Sequence, residues 1–306
     1  MDITGWVWGL TVVGLVALVV FDYVFHVRRP HVPTLKEAAI WSSGYVGIAV
    51  LFGLGMFAFG GADAGSEYFA GYVTEKALSV DNLFVFLIIM TSFQVPREHQ
   101  QKVLLFGITL ALAARTGFIF LGAALINSFA WVFYFFGLLL LLTAHNMLKS
   151  AGGEQSHQAH QGVVRLAKRV VKNPMLLVLT AIAGTDVVFA VDSIPAIFGL
   201  TQNTYIVFTA TAFSLLGLRQ LYFLIDGLLD RLVYLSYGLS VILGFIGVKL
   251  ILHALHEDGV GVIEIGTWPS LLVIVSVLVV TVIASLRSAR DPKAAAEKEP
   301  EPVPVA

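Results

Sequence analysis

Long apolar runs alternate with short polar loops along most of the chain. A membrane-crossing helix needs about 20 apolar residues, and the runs predict about nine such spans. They lie near 4–25, 37–59, 67–92, 103–126, 129–149, 174–199, 204–225, 232–253 and 268–287. Basic residues fall in alternate loops. Arg28, Arg29 and Lys36 occupy the first, Arg97 and Lys102 the third, Arg165, Lys168, Arg169 and Lys172 the fifth, and Arg231 the seventh. The loops between these, GGADAGSE and LTQNT among them, have none, and the tail carries Arg287, Arg290, Lys293 and Lys298. Lys and Arg mark cytoplasmic loops, so the N-terminus is expected outside and the C-terminus inside.

Composition agrees with an all-α polytopic membrane protein. The 306 residues are 58% hydrophobic and 13% charged, against roughly 25% charged in soluble proteins. A net charge of -1 gives no support to nucleic-acid binding. The absence of cysteine excludes disulfides, thiolate metal sites and cysteine catalysis. The start, MDITGWVWG, lacks the basic flank of a cleaved signal, so the first run is expected to be a span. With no Arg- and Ser-rich transit segment before it, the expected location is a prokaryotic plasma membrane. Residues 1–287 form the expected transporter domain, with motif-bearing halves at 67–149 and 174–253 around a cytoplasmic linker at 150–173. The Pro-, Glu- and Ala-rich tail, 288–306, reads as disordered.

Two acidic motifs interrupt the apolar pattern, EKALSVDNL from Glu75 and DVVFAVDSI from Asp186. With Asp81 set on Asp192, each has a carboxylate, five residues, an Asp, then a small polar side chain, Asn82 or Ser193. A charge at bilayer depth costs about 3 kcal/mol, so such acids mark partners or function. The next span in each half carries one arginine, Arg115 or Arg219. The motifs lie three spans apart and therefore cross the membrane in opposite directions. This is an inverted repeat, an arrangement that places substrate near the midplane between repeats.

Six residues separate Glu75 from Asp81, a turn of roughly 120° and a rise of roughly 9 Å on a helix. They do not share a face. Glu75 and Asn82 do, as do Asp186 and Ser193. Four carboxylates at one ion would need bent helices, and Pro195 supplies a bend by freeing the Val191 carbonyl. The donors are all oxygen, which suits Mg²⁺, Ca²⁺ or Mn²⁺. Four carboxylates exceed one divalent charge, and Arg115, Arg219 or protons would offset the excess.

Other polar residues allow smaller roles. Asp22 and His26, four apart, form an interfacial pair or a cytoplasmic point of access. Lys76 pairs with an acid, snorkels or takes part in coupling. Lys249, His253 and His256 mark the outer end of the eighth span and are expected to be interfacial, an exit site formed with Glu257 and Asp258 being the alternative. His157 and His160 lie in the linker and are expected to be solvated.

The motifs EKALSVDNLFVF at 75–86 and TDVVFAVDSIPAIFGLTQ at 185–202 closely resemble those of the TerC family of integral membrane proteins, which includes Alx and belongs with the LysE-type exporters. The resemblance runs from the Asp22 helix end to about residue 287. It implies divalent-metal homeostasis, chiefly manganese export, and an association with tellurium resistance. It carries the acidic-motif role onto Glu75, Asp81, Asn82, Asp186, Asp192 and Ser193. Some members are linked instead to metal loading of exported proteins or to membrane-protein assembly. The expected function is a secondary transporter, not an enzyme, that exports Mn²⁺ or a similar cation as substrate in exchange for protons and has no resident cofactor. A scaffold whose acids only hold helices together is one rival; an intramembrane hydrolase with an aspartyl pair is another.

Overall fold

The structure, a computed structural model, describes residues 3–27, 33–151, 174–225 and 233–288. Most of the expected linker, with His157 and His160, lies outside the described residues, as do Arg28, Arg29, Arg231 and the tail from 289. Every regular element described is helical. In chain order they are α1 (Gly5–Asp22), α2 (Leu35–Ser92), α3 (Arg97–Ser128), α4 (Val132–Ala151), α5 (Pro174–Phe198), α6 (Thr204–Leu215), α7 (Leu218–Ile225), α8 (Leu235–Glu257) and α9 (Thr267–Ser288). A π-helical stretch, Tyr23–Val27, follows α1. With α6 and α7 taken together, 8 helices are long and apolar enough to cross a membrane.

One of these is two spans. The 58 residues of α2 would reach about 87 Å at 1.5 Å per residue, close to three times a hydrocarbon core of about 30 Å. The helix folds back at Gly61, whose φ of 87° only glycine adopts readily. Tyr68 Oη then donates to the Ala49 carbonyl at 3.0 Å, an approach a straight helix would forbid. The expected loop GGADAGSE is thus a sharp turn within helical structure rather than an extended connection. The span expected at 204–225 is interrupted instead. Leu216 is extended, with ψ 134°, and Gly217 has φ 79°, which separates α6 from α7.

Helix directions follow from packing. Gly107 abuts Ile182, and Gly122 abuts Phe198 and Ile194, so α3 and α5 run in the same direction. A four-residue link, 93–96, reverses the chain between α2 and α3, so the second limb of α2 is antiparallel to α5. Gly71 abuts Ala210 and Lys76 reaches Ser214 and Leu216, so α6 runs with that limb. A Cβ on Gly247 would lie 2.9 Å from the Gly137 carbonyl. The two glycines let α4 and α8 pack in close antiparallel contact, as small residues do between membrane helices.

Orientation is testable directly because the chain has no cysteine. Gly65 is buried against Phe57 and would label poorly, whereas Ala62 is exposed at the turn. An impermeant thiol reagent on intact cells should label an Ala62→Cys variant and spare Gly153→Cys. The reverse pattern would invert the topology.

Candidate cation site

Arg115 stands at the centre of the buried charges. It lies on α3 and is fully buried. Its Nε and Nη2 donate to the two Asp186 oxygens, each at 2.9 Å. Its Nη1 donates to Ser193 Oγ at 3.1 Å and forms an ion pair with Glu75 Oε1. Ser79 Oγ adds a long bond to the same Glu75 oxygen. A guanidinium suits this position because its planar fork serves several acceptors at once. Glu75, Asp186 and Ser193, two of them from the second motif and one from the first, thus meet at one cation.

Asp81 and Asp192 turn elsewhere, as the six-residue spacing on a helix requires. Both are half-buried. Ser236 Oγ on α8 donates to Asp81 Oδ1 at 3.4 Å. Thr143 Oγ1 on α4 donates to Asp192 Oδ1 at 2.8 Å. Among the described residues, neither has a basic partner within ion-pair distance. The two lie along one helix pair at different depths. Ala144 lies beside Gly244, so Ser236 sits about nine residues from the level of Thr143, or about 13 Å. Asn82 is buried beside Asp81. The described residues contain no group of three or more His, Asp or Glu side chains arranged to hold a metal. The single cluster of four carboxylates considered from sequence is therefore divided: Glu75 and Asp186 meet at Arg115, and Asp81 and Asp192 stand apart.

Arg219 does not serve the motif acids. Its Nε and Nη2 donate to the Asp22 oxygens at 3.1 and 2.8 Å, and its Nη1 donates to Gln101 Oε1 at 2.7 Å. Gln220 Nε2 and Tyr45 Oη also donate to Asp22 Oδ1, each at 2.8 Å. This network joins the end of α1 to α2, α3 and α7. Of the counter-charges expected for the motif acids, Arg219 is engaged elsewhere: α7 follows the break at Gly217, and its arginine pairs with Asp22. His26 lies in the π-helical stretch, and its side chain is outside the described residues.

At the opposite end a polar cavity of about 340 Å³ is lined by Glu67, Thr201, Gln202, Lys249, His253 and Glu264. His253 bonds Glu264 at 3.0 Å and Gln202 at 2.7 Å. Thr201 Oγ1 donates to Glu67. His253 and Lys249 thus share a cavity with Glu67 and Glu264, whereas Asp258 accepts from Tyr134 Oη. Glu67 and Glu264 were not singled out from sequence because neither falls in a motif.

Removing one partner of a buried ion cluster costs about 3–5 kcal/mol, because the others are left unpaired. Arg115→Gln should lower the thermal midpoint of the purified protein steeply. Adding Glu75→Gln and Asp186→Asn should recover much of the loss. An Arg115→Gln protein as stable as the parent would show that the cluster carries no structural charge balance.

Comparison with known proteins agrees with this architecture. An uncharacterized membrane protein of Mycobacterium tuberculosis (strain ATCC 25618 / H37Rv) is 55% identical, covering 95% of this chain and 81% of the relative. Alx of Escherichia coli (strain K12), named as a proposed membrane-bound redox modulator, is 36% identical, covering 90% of this chain and 92% of the relative. A membrane protein of Myxococcus xanthus is 34% identical, covering 92% of each. No solved structure matches the chain. The family model described as integral membrane protein TerC family matches residues 60–293, and the chain belongs to that family.

Proposed function

We propose that the protein is a secondary transporter that exports a divalent metal cation, manganese foremost, from the cytoplasm of a prokaryotic cell in exchange for protons. The observation that carries this reading is the pair of carboxylates without basic partners among the described residues. Asp81 and Asp192 sit within apolar helices, each held only by a hydroxyl. An uncompensated carboxylate in low dielectric calls for a cation. A permeant metal supplies it in one state and protons in the other. Hard oxygen donors fit Mn²⁺, and Asn82 stands next to Asp81, whereas the Ser193 hydroxyl next to Asp192 accepts from Arg115. The antiparallel motif helices place the acids at two depths, as alternating access across an inverted repeat would need. Glu75 and Asp186 then hold the framework through Arg115 rather than ligating metal in this state.

The ion pairs of Arg115 with Glu75 and Asp186 favour a second reading, in which the protein is a scaffold or assembly factor and its acids join helices. The redox-modulator description of Alx belongs to that relative, and a change in metal supply is one way a metal exporter would produce such an effect.

Asp81→Asn and Asp192→Asn separate the readings. Asn keeps the shape and the hydroxyl contact but removes the charge. Each variant should lower manganese efflux from loaded cells by about tenfold or more, equivalent to about 1.4 kcal/mol of ion stabilisation. Full efflux at normal membrane levels of both variants would leave the scaffold. Proton exchange is read in proteoliposomes with a luminal pH dye under clamped potential. Manganese flux should move protons the other way, and both signals should fall together in Asp192→Asn. Metal flux without a pH change would exclude proton exchange.

A further inference from the structure

The break between α6 and α7 exposes main-chain oxygen atoms that a continuous helix would use. With Leu216 extended and Gly217 left-handed, the last turn of α6 loses its onward hydrogen bonds. Lys76 Nζ takes up two of the carbonyls, donating to Ser214 O at 2.9 Å and Leu216 O at 3.4 Å. The sequence had left Lys76 between an acid partner, snorkelling and coupling, and in the structure its ammonium caps a broken helix.

A second, independent feature lies at the same level. Thr74 Oγ1, Glu75 Oε2, Thr211 Oγ1 and Ser214 Oγ are buried and have no hydrogen-bond partner. All four residues are 0% exposed. Gly71 abuts Ala210 where α2 and α6 run side by side. One turn further along, Thr74 and Glu75 come level with Ser214, and Thr211 lies about one turn back on the same face of α6. Buried hydroxyls and a carboxylate oxygen without partners are costly unless something binds them. The donor set of hydroxyls, carbonyls and one carboxylate oxygen is hard throughout.

Charge fixes the valence of the missing ligand. Glu75 and Asp186 carry two negative charges, and Arg115 offsets one. Lys76 bonds the Ser214 and Leu216 carbonyls rather than either carboxylate. One negative charge is left over next to the break, so a single positive charge suits the site and a divalent ion would overshoot.

We propose that the break between α6 and α7 is a binding site for one monovalent hard cation, sodium in the first instance, with the Lys76 ammonium as its built-in substitute. Sodium enters as the lysine chain swings away from Ser214 and Leu216, and leaves as it returns. Half-helix ends with unwound carbonyls are suited to that cation. The site is separate from Asp81 and Asp192 and does not depend on the exported metal.

The test is equilibrium binding of radioactive sodium to the purified full-length protein, with choline chloride holding ionic strength and no divalent metal added. The wild-type protein should bind sodium saturably. Lys76→Met, which removes the competitor, should bind about tenfold or more tightly, and Lys76→Arg should not. Thr211→Val with Ser214→Ala should weaken binding about tenfold, in the wild-type or the Lys76→Met background. No saturable binding to the wild-type protein overturns the proposal, and so does equal binding by the Thr211→Val/Ser214→Ala protein. Should Lys76→Met fail to fold, the wild-type and Thr211→Val/Ser214→Ala measurements still decide. Because no divalent metal is present, the result stands whether or not the protein exports manganese.

Discussion

The requirement that buried charge be offset governs this molecule, and Arg115 is where it acts. One guanidinium on α3 joins the first motif through Glu75 and the second through Asp186 and Ser193. In low dielectric these groups cannot be separated cheaply, so three helices are held in one register. The antiparallel setting of the second limb of α2 against α5 follows, and with it the position of everything else on those helices. Six residues beyond each cluster acid, the helix has turned by roughly 120°. Asp81 and Asp192 are thereby carried out of reach of Arg115 and onto the α4 and α8 side.

Two arginines that look equivalent along the chain do different work. Arg115 sits in a continuous helix and faces the motif acids. Arg219 follows a backbone break, and that break turns it toward Asp22, 197 residues away. Tyr45, Gln101 and Gln220 complete the second network, which closes the Asp22 side of the bundle. The opposite side holds the open polar cavity around His253. The buried charges thus close one end of the bundle, and the polar cavity opens at the other.

Much of this was legible in the sequence. Apolar runs of bilayer length located the helices, because in lipid the backbone must satisfy itself within each span. Helical periodicity separated Glu75 from Asp81 and put Asp186 with Ser193. What could not be read depends on single dihedral angles and distant partners. Gly61 turns a chain that reads as two spans and a loop into one folded-back helix, while Gly60 next to it stays helical. Gly217 breaks a span, although nothing in SLLGLRQ distinguishes it from a packing glycine such as Gly247. Ser236 and Thr143, which hold Asp81 and Asp192, are ordinary hydroxyls in apolar helices. The contacts of α4 with α5 and of α8 with α2 bring them to the acids.

The charges within the spans resolve into groups that bear on mechanism. Glu75 and Asp186 share Arg115. Asp22 balances Arg219. Glu67 and Lys249 face the same cavity with opposite sign. Asp81 and Asp192 have no basic partner within ion-pair distance among the described residues, and their combined charge is equal and opposite to that of one divalent ion or two protons. Their separation of about 13 Å along α4 and α8 prevents one ion from bridging both at once. An ion that neutralises one leaves the other to be protonated or to wait. In the proposed transport cycle, passage from one acid to the other would move the metal across part of the membrane, with protons filling the acid it has left. A cycle of this kind keeps the low-dielectric interior near neutrality at each step, which is the same condition that fixes Arg115 in its place.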